Sequence, residues 1–141
     1  MSAGDPFFDT SVLLYLLSSD ARKADQVEAL LAKRGIISVQ VLNEFTVVAL
    51  RKVGLALLEI KEILDTVRAV CTVAPLTANT HDRGIEICEQ YKFSFYDSVI
   101  VATALIVGAK VLYSEDLQHG QVIDRRLRIV NPFLEIGRAH V

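Results

Sequence analysis

The sequence predicts an α/β fold in which a mostly parallel sheet is covered by helices on both faces. Short apolar strands alternate with longer segments of helical periodicity, and that order requires crossover connections and hence parallel pairing. A length of 141 residues with 52% hydrophobic content supplies one sizeable core. No repeat, linker or low-complexity stretch interrupts the pattern, so residues 1–141 are expected to form a single domain.

Phe7 and Phe8 form a very short strand, and Asp9-Thr10-Ser11 turns into a helix over Val12 to Leu17. Asp20 caps a second helix whose apolar residues Val27, Leu30 and Leu31 recur at helical spacing, and Lys33-Arg34-Gly35 reads as its C-terminal signature. Ile36 and Ile37 make the next strand. Ser38 is the expected N-cap of a helix from Val39 to about Lys52, and Gly54 separates it from another over Leu55 to Val70, a helical hairpin. Cys71 to Ala74 is β-like and stops at Pro75. Thr77 or Thr80 starts a helix ending near Tyr91, and Asp97 opens the most apolar helix, closed by Gly108. Val111 to Ser114 and Leu127 to Val130 supply the last strands before Asn131-Pro132.

Composition excludes several classes. The uncharged run from Ser98 to Ala109 is too short to cross a bilayer, and MSAGDPFF lacks the basic start and apolar middle of a secretory signal, so a cytoplasmic location is expected. Cys71 and Cys88 have neither a disulfide framework nor metal-ligand spacing and read as reduced thiols. The formal net charge of −2 argues mildly against a nucleic-acid partner. Distribution alters that reading, because Arg125, Arg126 and Arg128 fall close together, a pattern compatible with a polyanion or with an ordinary solvated face.

Four carboxylates stand nearly alone within apolar stretches: Asp9 in PFFDTSVLLYLL, Glu44 in GIISVQVLNEFTVVAL, Asp97 in FSFYDSVIVATALIVGA, and Asp116 just after KVLYSE. A buried, unpaired carboxylate costs several kcal/mol unless it is neutralised or partnered, and no neighbouring Lys or Arg supplies the positive charge. A divalent cation held by acids gathered at one point answers the cost and points to a metal-dependent phosphate-ester hydrolase. Asp9 and Asp116 follow predicted strands and share the carboxyl edge of the sheet, where open α/β folds bind ligands. Glu44 shares a helix face with Gln40, Val41, Val47 and Val48, which is expected to pack inward, and Asp97 lies in a first helical turn whose dipole favours an anion. Each acid also has a plainer reading: an Asx turn for Asp9, a solvent-facing position for Glu44, an N-cap for Asp97, a loop acid for Asp116.

These same segments, FFDTSVLLYLL, SVQVLNEF, FSFYDSVIVATAL and LYSED with a short terminal strand, resemble the PIN-domain nucleases, most closely the VapC-like toxin ribonucleases of toxin-antitoxin pairs. The resemblance covers nearly the whole chain. It implies a small three-layer α/β/α sandwich and acids that coordinate Mg2+ or Mn2+ while RNA phosphodiester bonds are hydrolysed. By motif, Asp9, Glu44, Asp97 and Asp116 take the places of the four acids. Ser114 takes that of the hydroxyl residue before the last one, and Thr10 or Ser11 would position a metal-bound water or phosphate. Glu115 is a second candidate ligand beside Asp116, and His119 a candidate phosphate contact. A homodimer and a small antitoxin are the implied partners. A catalytically silent PIN-like module that binds RNA or protein, a DNA-directed nuclease on the same scaffold, and a phosphoacceptor receiver domain are the alternatives; the last wants neighbouring acids after its first strand, where Phe8 precedes Asp9.

Overall fold

The computed structural model describes residues 4–134. Residues 1–3, on which the reading of the N-terminus partly rests, and residues 135–141 lie outside it. The elements run β1 (Phe7–Phe8), α1 (Thr10–Leu13, extended by a 3-10 turn over Leu14–Leu17), α2 (Ala21–Ala32), β2 (Gly35–Ser38) and α3 (Val39–Val48, ending in a π turn over Ala49–Val53). They continue with α4 (Leu57–Val70), β3 (Cys71–Ala74), α5 (Ala78–Tyr91), α6 (Phe95–Ile106), β4 (Val111–Tyr113), β5 (Val122–Ile123) and β6 (Leu127–Val130).

The strands form one six-stranded sheet in the order β3-β2-β1-β4-β6-β5, parallel except for β5 against β6. Successive residues of a strand point to opposite faces. Phe7 and Phe8 are both fully buried, as are Ile36 and Ile37, so helices cover both faces as expected. The chain steps from β1 through β2 to β3, then returns to the other side of β1 with β4. That reversal leaves a crevice at the carboxyl ends of β1 and β4, where this topology places ligands.

Several boundaries shift by one or two residues from the sequence reading, and two differences are informative. Asp97 does not open α6: Ser94 is the N-cap, its Oγ accepting from the Asp97 N–H at 3.2 Å, and Phe95 is the first helical residue. At the end of α2 the left-handed residue is Arg34, with φ 73°, while Gly35 lies within β2. Gly35 is there for space, because an added Cβ would overlap the Phe8 ring and approach the Pro6 carbonyl oxygen to 3.1 Å. The edge strand β5 is an element the sequence reading lacked; with two residues it carries no detectable periodicity.

α6 is buried at eight consecutive positions, Ser98 to Leu105, as befits a helix apolar on all sides. Its buried hydroxyls are satisfied within the helix: Ser98 Oγ donates to the Ser94 carbonyl and Thr103 Oγ1 to that of Val99, both at 2.8 Å. Among the described residues no helix is long and apolar enough to cross a membrane.

Candidate active site

The four isolated acids reach one cleft from four different elements. Asp9 follows β1, Glu44 stands in α3, Asp97 in the first turn of α6, and Asp116 three residues beyond β4. All four line a cleft of about 510 Å3 together with Thr10, Ser11, Leu14, Gln40, Asn43 and the apolar Val47, Val48 and Tyr96. Among the described residues no Lys or Arg lines it.

Asp9 is the innermost, 2% exposed. It is also the N-cap of α1, as the plainer reading has it. Its Oδ1 accepts from the Thr10 N–H at 2.7 Å, and its Oδ2 from Ser114 Oγ at 2.7 Å and Ser11 Oγ at 3.1 Å. The two serines are themselves held, Ser11 Oγ accepting from the Glu115 N–H and Ser114 Oγ from the Leu117 N–H. Burial nevertheless raises the Asp9 carboxyl from 3.8 to about 7; the hydroxyl of Ser114 works against the shift, and the charges of Asp97 and Asp116 add to it. Burial is likewise the main cause that pushes Asp97 and Asp116 above the ordinary carboxylate range, with Glu44 adding at Asp97 and Asp97 and Glu115 adding at Asp116. These acids feel one another as like charges.

Glu44 is half-buried and tied on both oxygens, to Thr10 Oγ1 at 2.9 Å and to Gln40 Nε2 at 2.8 Å. Its helix face is less inward than the sequence suggests: Gln40 and Val41 are buried, but Val47 is 50% exposed and lines the cleft. Thr10 and Ser11 also line it, whereas Ser114 is fully buried behind Asp9 and bears on that carboxylate.

Glu115 is not part of the cleft lining. Its carboxylate accepts from the Tyr15 hydroxyl at 2.7 and 2.9 Å, and Lys23 lies 3.9 Å from it while stacking over the rings of Tyr15 and Phe133. His119 accepts from the Asn131 N–H at 3.0 Å through Nδ1 and is not part of the cleft lining. Arg125 and Arg126 line a separate cavity with Lys110, at the amino ends of β4 and β6, opposite the carboxylates. The arginine cluster therefore does not flank the acidic cleft, and Arg126 is paired with Asp124. Sequence reasoning places Gln40, Val47 and Val48 on an inward-packing face rather than in the cleft, and does not single out Leu14, Asn43 or Tyr96, for which a single sequence carries no distinguishing pattern.

The donors fit a hard divalent cation in kind, being carboxylate oxygens without a competing positive side chain. Among the described residues, no group of three or more Asp, Glu, His or Cys side chains is arranged to hold a metal ion as it stands. The hydrogen bonds above engage some of the oxygens, yet an ionised carboxylate has about four acceptor sites, so coordination requires side-chain adjustment rather than new ligands.

The PIN domain family model matches residues 7–123, which spans all four acids. No curated protein matches the chain. Among solved structures, the chain is similar to VapC20 of Mycobacterium tuberculosis, a sarcin-ricin loop cleaving toxin, at 22% identity and TM-score 0.65, covering 79% of this chain and 90% of that one. A toxin-antitoxin complex from Klebsiella pneumoniae matches at 20% identity and TM-score 0.68 over 91% of this chain and 98% of that one. A DNA-bound VapBC from Salmonella typhimurium matches at 18% identity and TM-score 0.68 over 89% and 96%. With the family model spanning most of its length and its fold shared with these proteins, the chain belongs to the PIN domain family.

Proposed function

We propose that this chain is a metal-dependent endoribonuclease and the toxin of a toxin-antitoxin pair. The observation that carries the reading is the meeting of four carboxylates from four elements in one cleft that has no cationic side chain among the described residues, where burial first, and the charges of Asp97 and Asp116 after it, raise Asp9 to about 7. Such an arrangement is costly to the fold alone and useful at a site that receives positive charge. The toxins to which the fold is similar support the choice of RNA as substrate and of an antitoxin as partner.

Asp9, Glu44, Asp97 and Asp116 would hold Mg2+ or Mn2+. The bound ion would make a water more acidic for attack at phosphorus and offset charge on the departing oxygen. The protein's own share is placement. Ser114 from behind and Ser11 from the cleft side fix the Asp9 carboxylate, Thr10 and Gln40 fix Glu44, and the first turn of α6 favours the ionised form of Asp97. Thr10 and Ser11 face the cleft and would orient water or a phosphate oxygen. A partner surface is offered by Leu50, Val53, Leu57 and Leu58, large apolar side chains exposed where the α3–α4 hairpin turns; an antitoxin or a second copy in a homodimer would cover them.

The test is cleavage of a mixed pool of labelled RNAs by purified, inhibitor-free protein in Mn2+, Mg2+ or EDTA. Cutting that needs metal and disappears in Asp97→Asn supports the proposal. Absence of cutting under every metal would assign the chain to the silent PIN-like binding module instead, and preferential cutting of DNA to the rival nuclease.

A further inference from the structure

Among the described residues the cleft that gathers the acids has no cationic side chain with which to hold an RNA backbone, so beyond what a bound cation supplies, affinity there comes from uncharged contacts. Its lips offer them. Tyr96 immediately precedes Asp97 and is 63% exposed, and its ring packs at 6.1 Å on Phe95, which meets His81 edge-on at 5.4 Å. The ring is thus backed by other rings while remaining open to solvent, a geometry suited to receiving a flat ligand. Also lining the cleft, from α3, Val47 lies three residues after Glu44 and is 50% exposed, and Asn43, just before Glu44, is exposed with its amide free of hydrogen bonds among the described residues. Each lip residue is held by its own helix close in sequence to a carboxylate.

We infer that Tyr96 and Val47 form a subsite for one unpaired nucleobase adjoining the acids, with the Asn43 amide placed to hydrogen-bond its edge. The inference rests on the ribonuclease reading and specifies which RNA it takes. A base in a duplex is stacked on its neighbours and cannot present its face to a side chain, whereas an unpaired base stacks readily on an exposed aromatic ring. The subsite therefore requires a single strand, loop or bulge at the cleft and contributes binding that the acids themselves oppose.

The experiment uses the absence of tryptophan from the chain. In Tyr96→Trp the introduced indole is the sole tryptophan, and its emission is followed on titration with a single-stranded oligoribonucleotide of mixed sequence in Ca2+, and with the same strand in a duplex. Quenching by the single strand and none by the duplex is expected. In parallel, Tyr96→Ala should raise KM for single-stranded RNA about tenfold, the range of one lost base stack, with kcat changed far less; Tyr96→Phe should stay near wild type. Wild-type KM in Tyr96→Ala, or an indole that single-stranded RNA leaves unquenched, overturns the subsite even where metal-dependent cutting persists. Quenching without any cutting by the wild type would instead keep the subsite and overturn the nuclease reading.

Discussion

Replacing Asp9 by Asn should stabilise the metal-free protein at alkaline pH and leave it nearly unchanged at acidic pH. The folded-state carboxyl titrates near 7 against 3.8 for the ordinary group, mainly because it is buried. The folded protein therefore binds more protons than the unfolded chain between these values, and stability falls as pH rises through them. At about 1.36 kcal/mol per pH unit, the whole gap is about 4 kcal/mol, and about 2.5 kcal/mol of it develops between pH 5 and 8. Asn removes the charge but presents N–H groups where Oδ2 accepts from Ser11 and Ser114, at a cost of about 1 kcal/mol for each bond. The net is a gain of about 2 kcal/mol at pH 8 and about zero at pH 5. Asp97 and Asp116 are raised in the same direction, so the wild-type slope should be at least this steep. Urea unfolding in EDTA, followed by far-UV circular dichroism from pH 5 to 8, measures both proteins. A wild type whose stability is flat or rises over this range, with Asp9→Asn the weaker protein at pH 8, would refute the argument.

Added Mn2+ should raise the melting temperature of the wild type at pH 8 and do so progressively less toward pH 5, because the cation must displace the Asp9 proton; scanning calorimetry with and without Mn2+ checks this. Ser114→Ala removes a buried donor to Asp9 and leaves the Leu117 N–H without its acceptor. It should cost about 1 to 3 kcal/mol in urea unfolding and lower RNA cleavage. Gly35→Ala should destabilise by about 1 to 3 kcal/mol, since the added methyl meets the Phe8 ring and the fixed Pro6 carbonyl; a variant as stable as wild type would show that β1 and β2 can part to admit it.

The convergence of the acids was legible because isolation in an apolar stretch is a local property of the sequence. Parallel topology followed from the alternation of elements, and Asp9 and Asp116 then fell on one edge. What the sequence could not carry was set by packing between distant residues. Gly35 reads as a helix terminator by its neighbours, yet its lack of a side chain serves Phe8, and Arg34 takes the left-handed turn. Asp97 reads as a helix start, while Ser94, three residues earlier in the same stretch, is the cap. Arg125 and Arg126 read as compatible with a polyanion at the acids or with a solvated face, and β4 runs between them and the acids and places the two arginines at the opposite end of the sheet. Tyr96 reads as one more aromatic in FSFYDS, and only its exposure beside the cleft sets it apart.

The central claim is that Asp9, Glu44, Asp97 and Asp116 are parts of one cation site. The most direct measurement is an electron paramagnetic resonance titration of metal-free protein with Mn2+ at pH 8, comparing the wild type with Asp97→Asn. Loss of the free Mn2+ signal at a stoichiometric ratio in the wild type, and its weakening at least tenfold in Asp97→Asn, is the predicted result. A wild type that leaves the free Mn2+ signal intact, or an Asp97→Asn variant that binds as tightly, would contradict the claim.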